Sequence, residues 1–500
     1  MGVASPRISS GITGLDAVLR GGLSPHRLYL VEGSPGSGKT TLALQFLLDG
    51  VRCGERGLYV TLSETAEELQ AVAQSHGWDL ADIALFELAS AEEALGMTRD
   101  QSVLHPWELE LGGTIRLIQE QVEATSPSRV VFDSLSELRL LAQDPLRYRR
   151  QVLALKQYFA GRNITVLLLD DLTGGTSTRD AHLHSLCHGV VTLERVTPEF
   201  GTSLRRIEVQ KLRGVDFVAG FHDMRIRRGG IDVFPRLIAA DFSTPFAGDC
   251  LASGIAELDA LLAGGPLRGT CTLITGPAGS GKTTIGLQYV NAACGRGEAC
   301  AIFEFDERVG TLLARAKSMG MDLDGHARAG RLILQQVDPA QMSPGELVSR
   351  IRDAVEQVDC RVIVIDSLEG YLAAMPRTQP MVLQLHELLS YLSHQGVATF
   401  VIHPQSGLVG AAPTDTLHIS YIADAVVLTR FFEAEGRLRK AISVVKNRGG
   451  SHEDSIRELR IDTQGLRVGA PLAEFRGVMT GTPVYAGSRT PLLEDRSLGA

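Results

Sequence analysis

Two stretches of the chain have the residue types and spacing to grip a phosphate. Gly33-Ser34-Pro35-Gly36-Ser37-Gly38-Lys39-Thr40 and Gly276-Pro277-Ala278-Gly279-Ser280-Gly281-Lys282-Thr283 both fit the pattern G-x-x-x-x-G-K-[ST]. Glycines there let the backbone turn tightly, so that successive N–H groups and the start of a helix point at one anion. A lysine closing such a loop reaches the β- and γ-phosphates of a nucleotide, which assigns that task to Lys39 and Lys282. Thr40 and Thr283 offer a hydroxyl to Mg²⁺, a cation that prefers oxygen ligands and keeps several waters. Thr41 and Thr284 complete the two candidate nucleotide-contact sets.

Carboxylates recur beside both loops. Arg129-Val130-Val131-Phe132-Asp133-Ser134 and Arg361-Val362-Ile363-Val364-Ile365-Asp366-Ser367 are apolar runs that end in aspartate, the residue that helps hold Mg²⁺ in phosphate-loop enzymes. Glu64 follows the apolar run Gly57 to Leu62, and Asp306-Glu307 follows Ala301 to Phe305. A carboxylate near a γ-phosphate can orient or deprotonate an attacking oxygen, so Glu64, Asp306 and Glu307 are the candidate catalytic residues.

The elements that must position these groups repeat as well. Each phosphate loop follows a short apolar strand (Leu28 to Val31, Cys271 to Ile274) and precedes a helical stretch. Ser10-Gly11-Ile12-Thr13-Gly14-Leu15-Asp16 and Ser253-Gly254-Ile255-Ala256-Glu257-Leu258-Asp259 stand at the same spacing ahead of their loops, so one domain has been duplicated. Strands alternate with helices at Ala66 to Gly77, Leu146 to Ala160, Pro344 to Val358 and Pro380 to Gln395. That alternation predicts an α/β fold whose sheet is mainly parallel with helices on both faces. Hairpins from Val190 to Lys211 and from Val426 to Lys446 extend each sheet. The expected domains are residues 1–240 and 241–485, joined near Arg236 to Asp249, with a flexible tail over 486–500.

Composition narrows the classes. The 500 residues carry a formal charge of −9, which argues against a broadly basic nucleic-acid surface. Seven cysteines form no C-x-x-C pair, the N-terminus lacks a signal-peptide pattern, and no apolar run reaches the ~20 residues of a membrane span. A soluble cytoplasmic protein without a membrane partner is expected.

The ordered set of both loops, both strand-terminal glutamates, both Asp-Ser strands and the endings Lys211-Leu212-Arg213-Gly214 and Lys446-Asn447-Arg448-Gly449 resembles the KaiC family over about residues 8 to 483. The resemblance implies two tandem RecA-like P-loop NTPase domains with C-terminal β-hairpin extensions, using ATP and Mg²⁺. It also implies a homohexamer of two stacked rings with ATP between neighbouring subunits. Lys39, Thr40, Glu64 and Asp133 would form the first site with Lys211 and Arg213 from the adjacent subunit. Lys282, Thr283, Glu307 and Asp366 would form the second with Lys446 and Arg448 in trans. The family's autokinase segment resembles Thr414 to Asp424, where Ser420 keeps a hydroxyl and Tyr421 replaces a threonine. Ser420 is the expected phosphoacceptor ahead of Tyr421, whose longer side chain carries its hydroxyl away from the in-line position.

This sequence departs from the family in its glutamates. The usual adjacent pair is Ser63-Glu64 in the first half and Asp306-Glu307 in the second, so the first site keeps one carboxylate and the second two. His182, His184 and His188 with Cys187 offer zinc-ligand types, yet they lie in the stretch equivalent to the one that holds His418, Ser420 and Asp424 in the second half and are expected to be ordinary loop residues. The expected activity is ATP hydrolysis with serine autophosphorylation in the second domain, serving a signalling or timing switch and an unidentified signalling partner. The other readings are a nucleic-acid-dependent ATPase and a nucleotide-gated scaffold with little turnover.

Overall fold

The computed structural model describes residues 6–88, 106–142, 144–172, 181–197, 201–242, 248–373, 381–405, 421–478 and 484–485. The chain divides into two units, Met1–Arg236 and Leu237–Ala500. In the first, α1 (Thr13–Val18) precedes β1 (Leu28–Gly33), α2 (Lys39–Arg52), β2 (Gly57–Thr61), α3 (Ala66–His76), β3 (Ile83–Glu87), α4 (Pro106–Thr125) and β4 (Arg129–Asp133). Then come α5 (Leu135–Ala142), α6 (Pro145–Ala160), β5 (Thr165–Asp171), α7 (Ala181–Leu186), β6 (Gly189–Val196), β7 (Leu204–Leu212), β8 (Phe221–Arg227) and β9 (Gly230–Phe234).

The second unit repeats this order with α8 (Ala256–Ala260), β10 (Cys271–Gly276), α9 (Lys282–Gly295), β11 (Ala299–Glu304), α10 (Val309–Ser318), α11 (Leu323–Arg328), β12 (Leu332–Gln336), α12 (Pro344–Val358) and β13 (Cys360–Asp366). It continues with α13 (Leu368–Ala373), α14 (Met381–His394), β14 (Ala398–Pro404), β15 (Ala425–Ala434), β16 (Arg437–Asn447), β17 (Arg457–Asp462) and β18 (Gly465–Pro471), followed by a short antiparallel pair, β19 (Phe475–Arg476) and β20 (Val484–Tyr485).

Both sheets have nine strands in matching order, β3-β2-β4-β5-β1-β6-β7-β8-β9 and β12-β11-β13-β14-β10-β15-β16-β17-β18. The first six strands of each sheet run parallel and the last three antiparallel. These are two tandem RecA-like domains. Every residue of β1, β2, β4 and β10 is buried, as expected of parallel strands covered on both faces, and this is why they read as unbroken apolar runs. The sheets continue two strands past the hairpins read from sequence. In the edgeward β8 only alternate positions are buried over much of the strand, the mark of one solvated face.

Local chemistry sets the helix starts. Thr65 and Glu68 form a reciprocal capping box on α3, and Ser343 accepts the Glu346 N–H ahead of Pro344 on α12. The repeated Ser-Gly-Ile motif is structural: Asp16 accepts the Ser10 N–H and Asp259 the Ser253 N–H, both at 2.8 Å. Leu237 and Ala239 join the core of the second unit with Leu388 and Tyr391 of α14. Among the described residues no helix is long and apolar enough to cross a membrane.

Candidate functional site

The strand order decides what can meet. β5 lies between β1, which carries the phosphate loop, and β4, which ends in Asp133; β14 lies likewise between β10 and β13. The C-terminal ends of these parallel strands therefore bring Gly33, Asp133 and Asp171 to one edge of the first sheet, and Gly276, Asp366 and Pro404 to one edge of the second.

Both loops enter their helices through a left-handed glycine. Gly38 and Gly281 have φ of 111° and 102°. A Cβ there would stand 2.7 Å from Ile226 Cδ1 and 2.4 Å from Ile461 Cδ1, so the position admits no side chain without rearrangement. Lys39 Nζ donates to the Gly33 and Ser34 carbonyls at 2.8 and 3.2 Å and forms an ion pair with Asp171 Oδ1 at 2.7 Å. Lys282 Nζ donates to the Pro277 carbonyl at 2.7 Å and has no carboxylate in ion-pair reach among the described residues. Burial holds the Lys282 ammonium below its ordinary pKa.

Thr40 Oγ1 lies 3.5 Å from Asp133 Oδ2, and Thr283 Oγ1 donates to Asp366 Oδ2 at 2.6 Å. A hydroxyl beside a carboxylate is a hard oxygen donor set, so the residues fit Mg²⁺. Burial raises the Asp133 carboxyl, opposed by the hydroxyl of Tyr59 that donates to it and by Lys39. Burial pushes Asp366 up to about 6 against the Thr283 hydrogen bond. A cation would reverse both shifts.

The candidate catalytic carboxylates sit on tight turns after β2 and β11. Thr61 Oγ1 accepts the Glu64 N–H and donates to the Glu64 carbonyl, which fixes that turn, while burial and then Asp133 raise the Glu64 carboxyl. In the second unit Glu304 takes the place of Thr61. Its Oε1 accepts the Asp306 and Glu307 N–H groups at 3.2 and 2.9 Å, and burial followed by Asp366 pushes its carboxyl up to about 8. Ser367 Oγ donates to Asp306, and Glu307 Oε2 is paired with Arg315 Nη2 at 2.6 Å.

A cleft of about 620 Å³ opens from the second loop. Gly279, Gly281, Lys282, Thr283 and Thr284 line it together with Arg315, Met319, Lys440, Ile461, Asp462 and Thr463. A cleft of that volume with both polar and apolar walls beside a phosphate loop suits a nucleotide. In the first unit Arg205 Nε donates to the Gly36 carbonyl at 3.3 Å.

Lys211, Arg213, Lys446 and Arg448 are not brought to the loops of their own units. Lys211 pairs with Val190 at the start of β6, and Lys446 with Val426 at the start of β15, so all four sit at the opposite sheet edge. Lys211 donates to the His184 and Cys187 carbonyls, Arg213 to Ser185 at 2.7 Å and Lys446 to Ala423 at 2.6 Å. Ser420 lies outside the described residues, and Tyr421 is exposed. Of the histidine group, His184 Nε2 meets Glu32 Oε2 at 2.9 Å, His188 packs edge-on to Tyr29, Cys187 is in the core, and the His182 side chain lies outside the described residues. Among the described residues no three His, Cys, Asp or Glu side chains are grouped to hold a metal ion.

Sequence reasoning missed Asp171, Glu304, Arg315 and the cleft residues supplied by α10, β16 and β17. The first two had a legible signal: a second acid at the end of an apolar strand in Asp170-Asp171, and a lone acid inside the run Ala301 to Phe305. Arg315, on α10, and Met319, just past its end, belong to no motif of their own.

Comparison with known proteins follows the same duplication. A family model described as ATPase: KaiC matches residues 8–238 and again 251–473. The chain is 28% identical over 482 residues to the circadian clock protein KaiC3 of Synechocystis sp., covering 96% of this chain and 95% of the relative. It is 28% identical over 489 residues to the circadian clock oscillator protein KaiC of Synechococcus elongatus, covering 96% and 92%. With the match running through both units and across nearly the whole length of these relatives, the chain belongs to the KaiC family of ATPases.

Proposed function

We propose that the protein hydrolyses ATP at two sites and transfers phosphate to its own Ser420 from the second, so that nucleotide and phosphorylation state together set its affinity for a signalling partner. The observation that supports unequal roles is the carboxylate content of the second site, where Glu304 ends β11 opposite Asp366 and Asp306 and Glu307 follow it. In each site the loop amides and Lys39 or Lys282 bind the phosphates. Thr40 with Asp133, and Thr283 with Asp366, would hold Mg²⁺, which when bound neutralises charge between the β- and γ-phosphates.

Glu64 and Glu307 take the proton of an attacking water. Its oxygen bonds to the γ-phosphorus while the bond to the β–γ bridging oxygen breaks, giving ADP and inorganic phosphate. Burial raises the Glu64 carboxyl toward the range useful for a base. Glu307 has to leave Arg315 before it can act. In the kinase step the Ser420 hydroxyl replaces water as the nucleophile.

The cations at the far sheet edge cannot serve their own loops, which favours their use by a neighbour and hence a ring. We assign Lys211 and Arg213, and Lys446 and Arg448, to sites on the adjacent subunit of a homohexamer. Incubation of the full chain with Mg·ATP is expected to add one phosphate by intact mass and to leave Ser420→Ala unmodified. Phosphate uptake that persists in Ser420→Ala sinks the acceptor assignment, and ADP release without uptake removes the kinase step while leaving the ATPase.

A further inference from the structure

Both carboxylates that follow β11 already have partners on the protein. Ser367 Oγ donates to Asp306, and Arg315 Nη2 donates to Glu307 Oε2 at 2.6 Å. The same guanidinium reaches the helix that begins at the phosphate loop: its Nη1 donates to Thr284 Oγ1 at 3.4 Å, and Arg315 lines the cleft with Gly281, Lys282, Thr283 and Thr284. Arg315 therefore stands between the candidate base and the start of α9, where loop N–H groups gather phosphate. The first unit lacks this arrangement. Val72 holds the corresponding position on α3, and Glu64 Oε2 is buried with no hydrogen-bond partner among the described residues.

We infer that Arg315 is a nucleotide-operated latch on Glu307: it holds the carboxylate as an ion pair until phosphate enters the cleft, and phosphate then draws the guanidinium away and bares the base. The inference rests on the second cleft being an ATPase site with Glu307 as its base. The Arg315 and Glu307 side chains are 34% and 27% exposed, so the pair is of the weak, partly screened kind that another anion can replace. Arg315 meets Glu307 through one nitrogen and one oxygen, whereas a phosphate offers several oxygens that a guanidinium can take two at a time. The Thr284 contact gives the exchange its direction, since Nη1 is already at the first turn of α9 and the guanidinium has little distance to cover. Glu307 is then bare only while nucleotide is bound, which couples proton removal from water to occupancy of the cleft. The first site, where no arginine pairs with Glu64 among the described residues, has no such latch.

The test measures the affinity of the non-hydrolysable analogue adenylyl-imidodiphosphate, with Mg²⁺, in the full chain carrying Lys39→Ala to silence the first site. Glu307→Gln is made alone and together with Arg315→Ala, and again with Arg315→Gln so that loss of fold in one variant leaves the other. A latch makes Glu307 and the nucleotide rivals for one guanidinium. Glu307→Gln alone is therefore expected to tighten the analogue about five-fold, the upper range for a partly exposed ion pair, and to change it by less than about two-fold once Arg315 is gone. Equal or larger tightening without Arg315 overturns the inference, because Glu307 then acts by repelling phosphate directly. No tightening in either background overturns it too and leaves the nucleotide site standing. In ATP turnover Arg315→Ala is expected to raise KM and to hold kcat within about two-fold, as Glu307 is bare in the occupied site of both proteins. A fall in kcat at unchanged KM places Arg315 on the transition state and overturns the latch. Absence of analogue binding in the Lys39→Ala parent removes the nucleotide reading of the second cleft and this inference with it.

Discussion

Replacing Glu304 with glutamine should remove the pH dependence that this one buried acid imposes on the second unit. Its carboxyl is 2% exposed, and its pKa is raised from the ordinary 4.5 to about 8 by burial and by Asp366 across the strand pair. Below pH 4.5 the folded and unfolded chains both hold the proton. Between 4.5 and about 8 only the folded chain holds it, so stability falls as pH rises, at about 1.4 kcal/mol per pH unit. At pH 7 the accumulated loss is about 3 kcal/mol, a large part of a domain's usual ~5–15 kcal/mol. Glutamine keeps the acceptor for the Asp306 and Glu307 N–H groups but places an amide where Oε2 has no partner, at a cost of about 1–2 kcal/mol. Glu304→Gln is therefore less stable than the parent at pH 5, crosses it near pH ~5.5, and is more stable by about 1–2 kcal/mol at pH 7. The Asp366 shift occurs in both proteins and cancels. Urea unfolding without nucleotide at pH 5 to 8 measures this, followed by circular dichroism. Both tryptophans, Trp78 and Trp107, lie in the first unit, so their fluorescence is an internal control that should not move. Parallel stability curves for parent and variant across that range refute the protonated Glu304.

Arg129→Ala should destabilise the first unit by about 3 kcal/mol, because the buried guanidinium bonds the Ser9 and Phe46 carbonyls, Asp49 and Glu55 at once and its loss leaves them short of donors. Tryptophan fluorescence should show an earlier urea midpoint while the circular-dichroism change of the second unit stays in place. Gly281→Ala should weaken ADP binding to the second site by at least about ten-fold, measured in a Lys39→Ala background, since φ of 102° and the Ile461 contact both oppose a Cβ. Ile461→Ala in the same chain relieves the contact and not the dihedral, so recovery should be partial; full affinity in Gly281→Ala alone contradicts the geometry.

The parallel core was legible because its strands are buried on both faces. Leu28 to Val31 or Val130 to Asp133 can be read as strands with no knowledge of their partners, and the loop glycines mark the turn from strand into helix. β8 and β17 were not legible, since only two residues of each are fully buried and their sequences, rich in charged residues, have the pattern of a polar connection. The paired aspartates were found because duplication placed each beside a loop in the same order. Asp171 escaped for the converse reason: its counterpart is Pro404, so comparing the halves erased it, and only the placement of β5 between β1 and β4 exposes its bond to Lys39. Glu304 was hidden by the sheet register, which sets it against Asp366, a residue far along the chain.

The antiparallel strands at the end of each unit fold back over its beginning. Ile226 of β8 covers Gly38, and Ile461 of β17 covers Gly281, while Asp462 and Thr463 line the cleft behind it. During synthesis the phosphate loop of the second unit leaves the ribosome long before these residues do. A nascent chain stopped ahead of Arg457 carries the whole phosphate motif and lacks the wall that closes its pocket. Until those residues are made, the second phosphate loop stands without Ile461, Asp462 and Thr463 beside it.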